Sequence, residues 1–232
     1  MVKVAHPLQH LLRDNFVDIN WEDQNSALDF CLPILDSLAN QPSLMVDALE
    51  YAFEHDPVLL ARSEIDHFLD RAVLFEDHSL DCSIRLQKLH AGDGDRPHNH
   101  RASFATLILQ GEYRHAIHSH PADLDYRQQT PPMTVEEIEG MKTVIDRVEK
   151  PGSYYAIHHS LVHSTRPTKD HLSVLIRGPS VKTRNFFFDE KRKQSFWHVS
   201  TQDETEEAIA GRQMRTFDRS AVETMIERLS QI

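Results

Sequence analysis

The sequence predicts a mainly β protein with helical flanks: a small sandwich or barrel of short strands, preceded by a helical N-terminal segment and followed by a C-terminal helix. Three observations carry this. Apolar residues recur at helical spacing from about 25 to 75. Short runs rich in apolar, β-branched and aromatic residues, separated by turn signals, fill about 82 to 199. An amphipathic run then closes the chain. The segments divide as 1–78, 79–200 and 201–232.

In the first segment, Leu28, Cys31, Leu32 and Leu35 make one stripe, and Leu44, Leu49, Ala52 and Phe53 make another. Asn25 or Ser26 is placed to cap the first helix, and Pro42-Ser43 breaks the chain before the second. Pro57 suits the start of a third helix, running through Ile65 and Phe68 to about Arg71. The strand candidates are CSIRLQKL, FATLILQ, EYRHAIH, SYYAI, HLSVLIR and TRNFFF, and AGDGDRP, QG, PADLD and KPG punctuate them. Many short strands at this spacing predict a sandwich or a small barrel. Between them PPMTVEEIEG reads as a short helix, with Thr134 and Glu137 as its capping box. Thr201 with Glu204 is a second such box, and AVETMIERL is the amphipathic C-terminal helix.

A chain of 232 residues, 40% hydrophobic and 26% charged, is expected to form one main domain with its own core. Its 25 Lys+Arg against 36 Asp+Glu give a net charge of -11, which argues against nucleic acid or an anionic membrane as partner. Two cysteines, Cys31 and Cys82, make no disulfide framework, so a reducing cytoplasm is the expected location. MVKVAHPLQH has no apolar stretch of signal-peptide length, and no run approaches the roughly 18 apolar residues of a membrane helix. Sixteen histidines (His 16) are abundant material for a metal site.

The informative stretch is Gly92 to His115, GDGDRPHNHRASFATLILQGEYRH. His98 and His100 stand two apart at the start of a strand, so both imidazoles can point to one face and take adjacent positions on a metal. An isolated His-x-His equally suits a polar turn. His118 and His120 form a second such pair, but Pro121 and polar residues follow them, as at a solvated strand end. Downstream, Pro151-Gly152 makes a turn, Tyr154 to Ile157 a strand, and His163 follows a short loop.

These two segments resemble the paired motifs of the cupin superfamily. Gly92, His98, His100, Gly111, Pro151, Gly152 and His163 fall on the motif positions, and the resemblance spans roughly Cys82 to Val199. It implies a single jelly-roll-like β-barrel in which His98, His100 and His163 hold one metal. The motif's acidic ligand falls at 104 or 105, which are Phe104 and Ala105 here. The implied site is therefore three neutral imidazoles without a carboxylate. Imidazole suits Fe, Ni, Cu and Zn; Fe(II) is the metal expected, with Mn also open. Such a site leaves the cation its full charge and favours an anionic donor, such as a thiolate, enolate or phenolate.

Within cupins, three-His sites resemble those of cysteine dioxygenase and related thiol dioxygenases, and HNHRASFATLILQG is similar to their segment. The resemblance implies a mononuclear non-haem iron dioxygenase acting on a small thiol or other anionic bidentate substrate with O2. Two alternatives stand beside it: cleavage of a C–C bond in a diketone or phenolic acid on the same metal, and a non-catalytic ligand-binding cupin. Ser173 falls where the family's Ser-His-Tyr relay begins, but Leu175 and Arg177 replace its His and Tyr, which puts cysteine itself in doubt as substrate.

Arg177 alternates with Ser173 and Leu175, so on an interior face its guanidinium can clamp a substrate carboxylate. Arg71 lies near the family's carboxylate-binding arginine, and Arg85 shares the polar face of its strand with Ser83 and Gln87. Surface or ion-paired positions are equally open for all three. Phe104 is placed to keep the pocket apolar. Tyr155, with Tyr154, His158 and His159, is close in sequence to the third ligand, and His115 on EYRHAIH can also face inward; each is a candidate to orient an imidazole or assist the chemistry. Asp93 and Asp95 read as a solvated turn. A homodimer built on the helical segment is a further expectation.

Overall fold

The computed structural model describes residues 5–13, 19–65, 68–92, 94–119, 141–189, 192–199 and 215–232. Three of its helices begin at capping aspartates. Asp23 accepts a hydrogen bond from the Asn25 amide at 2.9 Å and starts α2 (Gln24–Asn40), two residues before the nearer of the expected caps, Asn25 and Ser26. Asp56 accepts from the Val58 and Leu59 amides and starts α4 (Pro57–Ala61), with Pro57 in the first turn. Between them lies α3 (Ser43–His55), and α1 (Gln9–Arg13) precedes them. Asp218 caps α5 (Arg219–Leu229).

Each long helix buries one stripe. Ala27, Cys31, Ile34, Leu35 and Leu38 do so on α2, Met45, Ala48, Leu49 and Ala52 on α3, and Val222, Met225 and Leu229 on α5. The α2 stripe is rotated from the predicted one, leaving Leu28 and Leu32 at its margin. The boxes at Thr134 and Thr201 lie outside the described residues.

The third helix stops at Ala61 and does not run to Arg71. Strands β1 (Glu64–Ile65) and β2 (Leu69–Asp77) take its place, so the helical segment ends well before residue 78. Among the described residues of the C-terminal segment, strand β12 (Arg215–Thr216), paired to β1, comes before the helix. The other strands are β3 (Cys82–Leu89), β4 (Phe104–Gln110), β5 (Tyr113–Ser119), β6 (Lys142–Glu149), β7 (Tyr154–Ile157), β8 (Val162–Pro167), β9 (His171–Arg177), β10 (Arg184–Asp189) and β11 (Gln194–Val199).

One antiparallel sheet has the order β12-β1-β2-β3-β9-β4-β7. Facing it are β6-β5-β8 and the β10-β11 pair, knit together by His98, which bridges to both His163 and Phe187. Two antiparallel sheets with these non-sequential neighbours form the β-rich, jelly-roll-like architecture the sequence predicted.

The larger sheet separates two environments. In register, Phe75, Ile84, Ile176 and Ala105 make one row, and all four join the core under the helices. The adjacent row, Glu76, Ser83, Arg177 and Phe104, therefore faces the other sheet. Side-chain alternation thus splits an apolar face from a polar, cationic one, and the second lines the site.

Gly111 turns the chain between β4 and β5 at φ +73°; a Cβ there would lie 2.4 Å from the Asp170 carbonyl oxygen. Gly94, at φ +86°, packs equally tightly on Thr165 and Arg166. Gly92 has open space around it, so the close-packed glycine before the His-x-His pair is Gly94, not the expected Gly92.

Candidate metal centre

His98, Asn99 and His100 lie in an extended stretch laid between β8 and β10. The His98 amide and carbonyl each bond to the His163 backbone at 2.8 Å, and the His100 amide donates to the His159 carbonyl at 3.2 Å. The intervening Asn99 is fully buried and turns the other way: its Oδ1 accepts from the Phe186 amide at 2.8 Å. Alternation thus sends two imidazoles into the interior and one amide into the strand that anchors them. His163 enters from β8, and the three rings form one group of potential metal ligands that contains no carboxylate.

Their outer nitrogens are already committed. His98 Nδ1 lies 2.8 Å from the Arg96 carbonyl and 3.0 Å from the Asp95 carboxylate, so it carries the proton and leaves Nε2 as a lone-pair donor. His163 Nδ1 lies 2.9 Å from His115 Nε2, and His115 Nδ1 lies 3.1 Å from Glu149. A carboxylate only accepts. His115 therefore gives its Nδ1–H to Glu149 and accepts at Nε2, which makes His163 the Nδ1–H donor and frees its Nε2. The His100 and His163 Nε2 atoms face each other across 2.6 Å, a hydrogen-bond distance that places a proton between them and has to widen to admit a metal ion. Burial first, and neighbouring imidazoles after it, hold both rings well below the ordinary histidine range. The donor set fits a first-row transition metal bound by neutral imidazoles.

Burial alone would raise Glu149; the hydrogen bond from His115 and the charge of Arg147 overcome it and keep the carboxylate ionised. The side chain is 5% exposed, and Arg147 Nε donates to it at 2.5 Å. Tyr155 packs on His115 with ring centroids 4.8 Å apart and shares a short hydroxyl contact with Tyr113. Burial pushes both phenols above their usual range. His115 and Tyr155, expected as catalytic groups, stand behind His163: His115 is bonded to it, and Tyr155 packs on His115.

The remaining walls mix apolar and cationic groups. Phe104 meets His100 edge-on at 4.8 Å, and Phe187 stacks on His98 at 5.0 Å and 15°. Arg177 is directly opposite Phe104, while Arg85 pairs with Leu175 and Arg71 with Gln87 on the same face. All three arginines therefore line the interior. Arg71 is ion-paired with Glu64 at 2.6 Å, Arg85 donates to Ser83 at 2.9 Å, and Arg177 contacts Ser180. Arg85 is pushed well below its usual range by burial, then by Arg71 and Arg177. Arg177 and Arg71 also bear on His100, which places their positive charge near the ring group. Ser173 is buried on this face, opposite Gln87 and Ile108. Lys182 donates to the His159 carbonyl at 2.9 Å, and burial lowers its ammonium to about 7.

Several predicted positions need correction. His118 is buried and bonded to Ser164 Oγ at 2.9 Å, so it is not a solvated strand end, although it stays outside the ligand group. His158 and His159 do not orient His163; their Nε2 atoms face Glu22. Asp95 is not merely part of a turn, because its carboxylate holds His98. Glu149, Asn99 and Phe187 had no visible signal, since each acts through a partner distant in sequence.

This is a β-rich, jelly-roll-like fold with flanking helices around a buried three-histidine group. No protein-family model and no curated protein matches the chain. Among solved structures it is similar to an RmlC-like cupin from Shewanella frigidimarina, at 13% identity and TM-score 0.34, over 52% of this chain and 96% of that one. KdgF from Halomonas sp. overlaps 50% of this chain and 83% of its own, at 14% identity and TM-score 0.35. The DMSP lyase DddQ from Ruegeria pomeroyi matches at 14% identity and TM-score 0.35, over 53% of this chain and 55% of its own. Likeness this distant leaves the chemistry to the site's own residues. No described helix is long and apolar enough to cross a membrane.

Proposed function

We propose that the chain is a mononuclear metal-dependent dioxygenase of the three-His cupin type. Its substrate on this reading is a small molecule with an anionic donor, a thiolate foremost, and its metal is Fe(II). The observation that carries this is the convergence of His98, His100 and His163 without a carboxylate, beside three inward-facing arginines. When bound, iron would supply a positive centre at which an anionic donor and O2 meet.

The chain's own groups supply the rest. Asp95 and the Arg96 carbonyl fix the His98 proton, and Glu149 with His115 fixes that of His163, so both rings present lone pairs without reorganisation. Phe104 and Phe187 flank the rings and exclude water from one side. Arg177, next to Phe104 in register, is placed to hold a substrate carboxylate, and Arg71 and Arg85 add positive potential.

The test is O2 consumption by the iron-loaded chain with cysteine, 3-mercaptopropionate, cysteamine, a β-diketone and a dihydroxybenzoate. Stoichiometric O2 uptake with a thiol supports the proposal. Uptake only with the diketone or phenolic acid moves the activity to C–C cleavage. Absence of uptake throughout, with tight binding of a metabolite, makes the chain a binding protein and overturns it. For a carboxylated substrate, Arg177→Ala is expected to raise KM at least tenfold with a smaller change in kcat.

A further inference from the structure

Outside the three-His group, the described residues bring together one more set of metal-ligand side chains. Glu22 precedes α2, and His158 and His159 form the turn between β7 and β8. His158 Nε2 lies 3.3 Å from Glu22 Oε2, and His159 Nε2 lies 3.4 Å from Oε1. These separations are long for charge-assisted hydrogen bonds, which run about 2.7–2.9 Å. They run to the two different oxygens of one carboxylate, and each is close to the roughly 3.3–3.4 Å that separates neighbouring donors around an ion with bonds of about 2.0–2.1 Å.

We propose that Glu22, His158 and His159 form a second metal site that takes a zinc-type divalent cation, with solvent completing its coordination. Two imidazoles and a carboxylate are a donor set that zinc accepts. Ser160 Oγ lies 2.6 Å from His158 Nδ1 and the Ser160 amide donates to the same nitrogen at 3.3 Å, so the ring carries its proton at Nε2 toward Glu22 and must release it to bind an ion through that nitrogen. Glu22 is exposed and His158 half-buried, and the group opens into a surface hollow also lined by Asp23, Asn25 and Leu161. An ion therefore has an approach from solvent and room for water.

The site ties two parts of the fold. Glu22 lies just ahead of α2, at whose first turn Gln24 Nε2 donates to the Ala156 carbonyl at 3.4 Å. The His159 carbonyl accepts from the His100 amide, and the His159 amide donates to Ser103 Oγ at 3.1 Å. A cation bridging Glu22 and this turn braces the backbone that seats His100. Occupancy is thus expected to stabilise the chain and to tighten binding at the three-His group.

Titration of the full chain with Co2+ and Zn2+ against a chromophoric chelator tests this. Two equivalents are expected to bind to the wild type, one to the His98→Ala/His163→Ala double variant, and one to Glu22→Ala or His158→Ala. The Co2+ visible band of low-coordinate geometry should persist in the double variant and vanish in the Glu22 and His158 variants. Glu22 is on the surface, so its replacement leaves the fold intact, as circular dichroism will verify. A wild type whose only equivalent is lost in the His98→Ala/His163→Ala variant, or Glu22 and His158 variants with unchanged stoichiometry and spectrum, would overturn the proposal. The reading of the three-His group fails separately, through the equivalent that responds to His163.

Discussion

Glu149 shows how one buried side chain can settle the chemistry of another beyond its reach. Its carboxylate accepts from His115, which accepts from His163, so a negative charge two hydrogen bonds away determines which nitrogen faces the ion. The sequence motif's acidic position, 104 or 105, is filled here by Phe104 and Ala105, and this relay brings a carboxylate to the ring group from behind. Glu149→Gln keeps an acceptor for His115 but removes the charge. Its metal affinity is expected to fall roughly 10–100-fold with little loss of stability, measured by chelator competition and by urea unfolding. His171 makes a contrasting case. It is buried against Tyr113, neither ring nitrogen has a hydrogen-bond partner among the described residues, and burial lowers it to about 3 from 6.5. The unfolded chain takes up a proton there that the folded chain refuses, so this contribution is complete above pH 6.5 and is lost as pH falls toward 3. Urea midpoints should drop between pH 6.5 and 4, and His171→Leu should flatten that slope.

At the scale of elements, strands that alternate or carry apolar runs were legible and others were not. CSIRLQKL, FATLILQ and HLSVLIR read correctly because each buries one face under helices. In β2 the bulge between Val73 and Phe75 buries four successive residues, Ala72 to Phe75, which erases alternation and reads as a continuation of the helix. β6 is exposed from Lys142 to Val148, so it offers no buried face to detect. The His-x-His pair was visible because its spacing is local, and His163 because a Pro-Gly turn and a short strand precede it. Glu149 was not, since its role depends on sheet register, and Asp95, three residues before His98, read as a solvated turn. The turns between strands are rigidly specified: Gly111→Ala places a methyl against the Asp170 carbonyl at positive φ, and should cost about 1–3 kcal/mol in denaturant unfolding.

Across the whole molecule, the two chain ends share one core. Phe217, Val222, Met225 and Leu229 pack with Met45 and Leu49 of α3 and with the outer face of the large sheet. Met225→Ala should therefore cost about 2–5 kcal/mol and lower the single unfolding transition as a whole, without splitting it. That core holds the sheet whose other face carries Arg71, Arg85, Arg177 and Phe104, so helices absent from the metal centre still set its walls. The chain has a net charge of -11, yet its interior gathers cations around the imidazoles, and the anionic substrate proposed above rests on that local potential. The central claim is that one ion is held by His98, His100 and His163 alone among the side chains. Anomalous diffraction from crystals of the iron-loaded chain, recorded at the metal edge, tests it most directly. A peak within bonding distance of all three Nε2 atoms and of no carboxylate oxygen is the result expected. An ion bound there through a carboxylate, or three rings with no peak between them, would contradict it.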